Sequence, residues 1–206
     1  FITSDNDRDG LVGHIYDVTY GVSKSTDTLV VLDDSIVRGT TLKKSILRIL
    51  DRLKLQKIII VSSAPQIRYP DCYGIDMAKL GDFIAFKAAI SLLNKTENGQ
   101  KIIEETYKKC KEAIKQPKES QKNHLKELYA TFTEDEISKE IANLLKTDNI
   151  AANFDIVFQR VEDLHKSCPK HTGDWYFTGN YPTSGGNMVA NKSMVYYIEG
   201  KDTRAY

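Results

Sequence analysis

The sequence predicts an α/β fold: part of a parallel sheet, followed by a mainly helical extension that ends in a short tail rich in aromatic residues and glycine. Three observations carry this. Thr28 to Leu32 is rich in Leu and Val and stops at acids, and Lys57 to Ser63, "KIIIVSS", is a second short apolar run; both read as buried strands. Between them Leu42, Ile46, Ile49, Leu50 and Leu53 recur at helical spacing, with Lys43, Lys44, Arg48 and Arg52 interleaved. Finally, the composition shifts at Glu97 to a Lys- and Glu-rich stretch with sparse apolar residues. Strand, loop, helix and strand make one βαβ unit, whose crossover should be right-handed.

The remaining elements follow in order. After the loop "APQIRYPDCYGID", with its two prolines, Asp82 to Leu93 resumes helical spacing through Phe83, Phe86, Ala89, Ile90 and Leu93. Glu97 to Lys122 reads as an exposed helix ended near Pro117. Thr133 to Glu136 form a capping-box signature ahead of Ile137, Ile141, Leu144 and Leu145, which predicts a further helix. Phe154 to Leu164 is expected to be one more helix, and the tail from His171 an arm with a short hairpin. The division expected is residues 1–95 for the sheet-bearing part and 96–206 for the extension.

Charge and cysteine content narrow the function classes. Lys and Arg total 29 against 28 Asp and Glu, a formal charge of +1, so the balance points to small-molecule or protein partners and to neither nucleic acid nor membrane. Cys72, Cys110 and Cys168 are widely separated and include no CxxC pair, which argues against a disulfide framework and a zinc or iron–sulfur site and fits a reducing cytoplasm. The chain opens at Phe1 and passes quickly into a strand, which reads as a piece of a longer protein. A sheet cut in this way should expose an edge or an apolar face, so a homo-oligomer is expected.

The stretch "LVVLDDSIVRGTT" concentrates the chemistry. Ligands of open α/β sheets sit outside the carboxyl ends of the strands, which is where Asp33 and Asp34 fall. The loop of Ser35, Ile36, Val37, Arg38, Gly39, Thr40 and Thr41 can present successive backbone N–H groups to a phosphate, with hydroxyls adding donors and Gly39 permitting close approach. Two carboxylates would repel that phosphate. Accepting hydrogen bonds from sugar hydroxyls, with Mg²⁺ between carboxylate, hydroxyl and pyrophosphate oxygens, gives them work, and the ligand implied is a sugar phosphate.

"VVLDDSIVRGTT" resembles the ribose-5-phosphate-binding signature of type I phosphoribosyltransferases, and with "SSAPQIRYPDCYGIDM" it is similar to the amidophosphoribosyltransferase family over roughly Phe1 to Leu93. The resemblance implies that Asp33 and Asp34 hold the ribose hydroxyls of phosphoribosyl pyrophosphate and lie at its Mg²⁺, while residues 35–41 hold the 5-phosphate. It implies displacement of pyrophosphate from ribose C1 by ammonia, with no catalytic base in the loop, as the opening step of purine synthesis. The ammonia would come from glutamine cleaved in an N-terminal domain that this chain lacks, so the chain alone is expected to be inactive. Ser4 to Gly21 take the place of the family's basic closing loop, yet Arg8 is their only full positive charge, and His14 and Tyr16 receive no role. No iron–sulfur cluster is expected. The alternative is a non-catalytic regulatory module that senses phosphoribosyl pyrophosphate or a nucleotide.

Several residues have plainer readings. Arg38 is as readily an exposed loop residue as a ligand contact, and Arg68 and Tyr69 beside Pro70 shape a turn. "YGID" packs a strand edge. His165, Cys168 and His171 have metal-like spacing without a second cysteine pair, so solvated or packed roles are favoured. Trp175, Tyr176, Phe177 and Tyr181 are assigned to packing before base stacking.

Overall fold

The computed structural model describes residues 21, 23–74, 77–171 and 173–205. Strand β1 (Thr28–Asp33) leads through the acid-containing loop to a π-helical turn (Leu42–Ile46), helix α1 (Leu47–Asp51) and strand β2 (Lys57–Ser62). A 3₁₀ turn (Leu80–Asp82), α2 (Ile84–Asn94) and α3 (Gly99–Ala113) follow. Then come a 3₁₀ turn (Lys118–Ser120), α4 (Leu125–Tyr129), α5 (Glu134–Leu145), β3 (Asn153–Phe158), α6 (Val161–Ser167), α7 (Trp175–Thr178) and α8 (Ser184–Ile198).

Among the described residues the sheet has three strands in the order β1-β2-β3, all parallel. Its register places Leu29 opposite Ile58, Val31 opposite Ile60 and Asp33 opposite Ser62. Because side chains alternate across a strand, this row and Phe154 and Ile156 of β3 share one face. There Ile58 and Ile60 are fully buried, and α5 packs against both β3 and α2. The opposite face carries Val30, Leu32 and Val157, all exposed, with a Lys57–Asp155 ion pair towards its N-terminal end.

Two expectations need correction. Phe154 to Leu164 is not one helix: its first half is strand β3, and only Val161–Ser167 is helical. Alternation explains it, since Asn153, Asp155 and Val157 are exposed while Phe154 and Ile156 are buried. The tail is not an arm with a hairpin either. It forms α7 and the 15-residue α8, whose Val189, Ala190, Asn191, Ser193, Met194 and Val195 are buried against α3 and the turn at 118–120.

The other elements form where the pattern places them. The capping box is present: the Glu136 N–H donates to Thr133 Oγ1 at 3.2 Å, and the Thr133 N–H donates to Glu136 Oε2 at 2.8 Å. The exposed helix after Glu97 stops at Ala113, short of Pro117. Of the stretch Ser4 to Gly21, all but Gly21 lies outside the described residues, as do Ile75 and Asp76 of "YGID". Among the described residues no helix is long and apolar enough to cross a membrane.

Candidate functional site

Asp33 ends β1 and Asp34 follows it where the parallel ladder runs out, and the main chain just after β2 holds both there. The Ser63 N–H donates to the Asp33 carbonyl at 2.9 Å and the Ala64 N–H to the Asp34 carbonyl at 3.0 Å. Ser63 Oγ adds a second bond to the Asp34 carbonyl at 3.1 Å. The motif beginning "SSAP" thus supports the acid pair through its backbone and the Ser63 hydroxyl.

The carboxylates fold back over the chain that follows. Asp33 Oδ1 accepts the Asp34 N–H at 3.0 Å, and Asp34 Oδ1 accepts the Ser35 N–H and the Ser35 hydroxyl. The second oxygen of each carboxylate accepts no hydrogen bond among the described residues. Burial raises the Asp33 carboxyl above the ordinary aspartate value; the Asp34 N–H bond opposes this, and the neighbouring Asp34 charge adds to it. Two hard carboxylate oxygens with spare acceptor capacity, one of them disfavoured as a lone anion, suit a divalent cation. Among the described residues no three His, Cys, Asp or Glu side chains converge. A Mg²⁺ here would therefore draw on two protein carboxylates and complete its shell from substrate oxygens and water.

Residues 35–39 are irregular, while Thr40 and Thr41 already open the following helical turn, and labour is divided along the segment. Ile36 turns into the core and offers only its backbone. The Val37 carbonyl accepts the Ile84 N–H at 2.8 Å, which ties the loop to the start of α2. Gly39 has φ +68°, a left-handed conformation that favours glycine, and its carbonyl accepts the Lys43 N–H at 3.0 Å. Among the described residues the amides of Ile36, Val37, Gly39, Thr40 and Thr41 donate to no protein acceptor. Successive free donors of this kind form an anion-binding nest. Thr40 and Thr41 are exposed beside it, whereas Arg38 turns to Asp82, its Nε 3.6 Å from the carboxylate.

Comparison with known proteins decides the likeness. A 75-residue stretch is 39% identical to the amidophosphoribosyltransferase of Pasteurella multocida, covering 36% of this chain and 15% of that enzyme. A 58-residue stretch is 45% identical to that of Haemophilus influenzae and one of the same length 41% identical to that of Saccharomyces cerevisiae, each covering 28% of this chain and 11% of the relative. The chain is similar to amidophosphoribosyltransferases over part of its length. The matched stretch spans only 11–15% of the length of these curated relatives. No protein-family profile and no solved structure matches the chain.

The rest of the amidophosphoribosyltransferase-like motif packs inward. Arg68 bonds Gln66 Oε1 at 2.7 Å, and its main-chain carbonyl accepts the Tyr129 hydroxyl at 2.8 Å. Tyr181 donates to the Pro70 carbonyl at 2.6 Å and Tyr176 to Asp71 Oδ1 at 2.8 Å. Burial pushes the Tyr181 and Tyr176 hydroxyls well up, so both remain donors. The tail aromatics therefore clamp this loop, and Trp175 meets Tyr73 edge-on with centroids 5.9 Å apart. His165 lies 3.3 Å from Asp174, which gives it a carboxylate neighbour. Sequence reasoning missed Ser63 and Ala64 as supports of the acid pair; the signal was their place at the end of the second strand.

Proposed function

We propose that this chain carries the ribose-5-phosphate half of an amidophosphoribosyltransferase site, on the corresponding part of a type I phosphoribosyltransferase sheet. The observation that supports it most is the pairing of two adjacent carboxylates with a nest of unpartnered amides at one strand end. Few ligands want both. A 5-phosphorylated ribose does, because its phosphate takes amide donors and its vicinal hydroxyls take carboxylate acceptors.

In this reading the amides of Ile36, Val37, Gly39, Thr40 and Thr41 and the Thr40 and Thr41 hydroxyls hold the 5-phosphate, and Asp33 and Asp34 hold the ribose hydroxyls and a Mg²⁺. The cation, when bound, offsets charge on the departing pyrophosphate. Ammonia, released from glutamine by a separate domain, places its lone pair on ribose C1 as the C1–O bond breaks and pyrophosphate leaves with the electron pair. The two carboxylates favour the positive charge that develops on the ring, and the loop fixes the sugar so that C1 meets the nucleophile in line. No side chain of the loop takes a proton. The product is 5-phosphoribosylamine, made in the cytoplasm at the entry to purine synthesis.

The test is calorimetric titration of phosphoribosyl pyrophosphate with and without Mg²⁺, on the wild type and on Asp34→Asn. Mg²⁺-dependent binding that disappears in the variant is the expected result. Unchanged titration heat in Asp34→Asn would refute the assignment.

A further inference from the structure

We propose that the cleft between residues 121–127 and 179–187 binds an uncharged polyhydroxyl ligand, a neutral saccharide, through side-chain amides. The cleft has a volume of about 510 Å³, within the range of small-ligand pockets of roughly 300–1,000 Å³. It lies in the helical extension, and none of its lining residues belongs to the acid pair or its loop. An orphaned polar atom marks it: Gln121 is 5% exposed, and its Oε1 is buried with no hydrogen-bond partner among the described residues. A buried acceptor without a partner costs free energy, and an O–H or N–H from a ligand would recover it.

Both walls are held in place by amide side chains. Asn123 Nδ2 donates to the Gly179 carbonyl at 3.1 Å and Asn187 Nδ2 to the Gln121 carbonyl at 2.9 Å, so the walls are tied to each other. Asn191, fully buried on α8, accepts the His124 N–H at 3.1 Å and donates to the Lys122 carbonyl at 2.9 Å. Gln121 itself donates through Nε2 to the Gln116 carbonyl at 3.0 Å, which fixes the amide and leaves Oε1 over. The groups left over are balanced. On one wall Gln121 Oε1 and Lys122 Nζ, and on the other Asn187 Oδ1 and Asn180 Nδ2, make no hydrogen bond or ion pair among the described residues. Each wall thus offers one acceptor and one donor.

That inventory selects the ligand by elimination. An anion has no proton to give to Gln121 Oε1 or Asn187 Oδ1. A cation would meet Lys122 and Lys126, while Glu127, the one carboxylate of the lining, already pairs with Lys109 and His124. The occupant must therefore be uncharged and able both to donate and to accept. A hydroxyl does both at one atom, and a sugar ring carries several in fixed directions, so one rigid molecule reaches both walls at little cost in conformational entropy. A lone carboxamide gathers its donors on one nitrogen and meets one wall only.

The probe is glucose, titrated into the full chain and read by NMR from the side-chain amide signals of Gln121, Asn180 and Asn187. Wild type should bind it saturably in the millimolar range, and Lys122→Ala/Asn180→Ala about tenfold more weakly. Lys122 and Asn180 are exposed, so this double variant should keep the wild-type melting temperature. Gln121→Met, which keeps the length of the side chain and removes its polar atoms, should also bind more weakly. Asp34→Asn should bind glucose as tightly as wild type. Absence of saturable binding by wild type, or wild-type affinity in the double variant or in Gln121→Met, overturns the proposal. Loss of glucose binding in Asp34→Asn overturns it as well, by placing the sugar at the acid pair. Displacement of glucose by equimolar acetamide or sulfate would identify a carboxamide or an anion as the occupant and overturn it likewise.

Discussion

The Ala64 N–H donates to the Asp34 carbonyl at 3.0 Å, one step beyond the last paired residues of β1 and β2. The acid pair is thus an extension of the parallel ladder and inherits its rigidity. Ser63 contributes twice, through its N–H to Asp33 and its Oγ to the Asp34 carbonyl. Ser63→Ala removes only the second bond and should cost about 0.5–1.5 kcal/mol in denaturant unfolding. On the reading proposed, it should weaken phosphoribosyl pyrophosphate binding severalfold with an unchanged Mg²⁺ requirement, since Ser63 positions the carboxylate and does not touch the ligand.

Gly39→Ala tests the loop conformation. At φ +68° an alanine is strained, and its Cβ would stand 2.6 Å from Leu145 Cδ2, a side chain too deeply buried to move aside. Strain alone costs about 1–3 kcal/mol. The variant should melt at a lower temperature and lose phosphate affinity together, because the conformation that α5 packs against is the one that exposes the amides. A variant as stable as wild type would mean that the loop does not hold this conformation.

Glu140 links α5 to the end of α2. Its side chain, 5% exposed, accepts from Ser91 Oγ at 2.6 Å and from Lys95 Nζ at 2.7 Å. Burial pushes its carboxyl up, but the hydrogen bonds from Lys95, Ser91 and Asn143 outweigh that and leave it below the ordinary glutamate value. A carboxyl lowered on folding stabilises above its unfolded value of 4.5 and loses that stabilisation as pH falls through the folded value. Glu140→Gln should therefore flatten the acid limb of the stability curve, and Glu140→Ala should cost about 1.5–3 kcal/mol near neutral pH.

The open face of the sheet predicts self-association. Leu32 is 74% exposed, Val30 60% and Val157 50%, and among the described residues β1 is an edge strand. Sedimentation at high micromolar concentration should show species larger than a monomer, and Leu32→Thr, which keeps strand propensity while removing apolar area, should shift them towards monomer. A strictly monomeric wild-type profile would sink this.

Local signals in the sequence were enough for most elements, and distant ones were not. The Thr133–Glu136 capping box and the Leu42–Leu53 spacing depend on neighbours a few residues away, and both predicted helices are present. Strand β3 pairs with β2 nearly a hundred residues earlier, and no local pattern records that partner. Helix α8 hides for another reason. It begins Ser184, Gly185, Gly186, Asn187, a composition that reads as loop, yet a Cβ on Gly186 would lie 2.2 Å from the Tyr181 ring, so close packing demands glycine there. The acid pair and loop were visible because strand end, acids and glycine are contiguous. Gln121 was not, since only the folded tail brings Asn180 and Asn187 to its cleft.

The pH dependence of Asp33 runs opposite to that of Glu140. Desolvation first, with the Asp34 charge adding, raises its carboxyl above 3.8. Between that value and the raised folded one, the folded chain holds more protons than the unfolded chain, so this group's contribution to stability falls as pH rises and is gone above the folded value. Asp33→Asn deletes the term. Subtracting the variant's stability from that of wild type across pH should therefore give a difference that decreases on leaving the acid region and then levels off. At neutral pH without metal the variant should be at least as stable as wild type, because an amide avoids burying a charge beside Asp34. Adding Mg²⁺ should reverse the order by raising the melting temperature of wild type alone, since a bound cation stabilises only the state that holds it. A variant less stable than wild type at neutral pH without Mg²⁺ would show that Asp33 serves the fold itself.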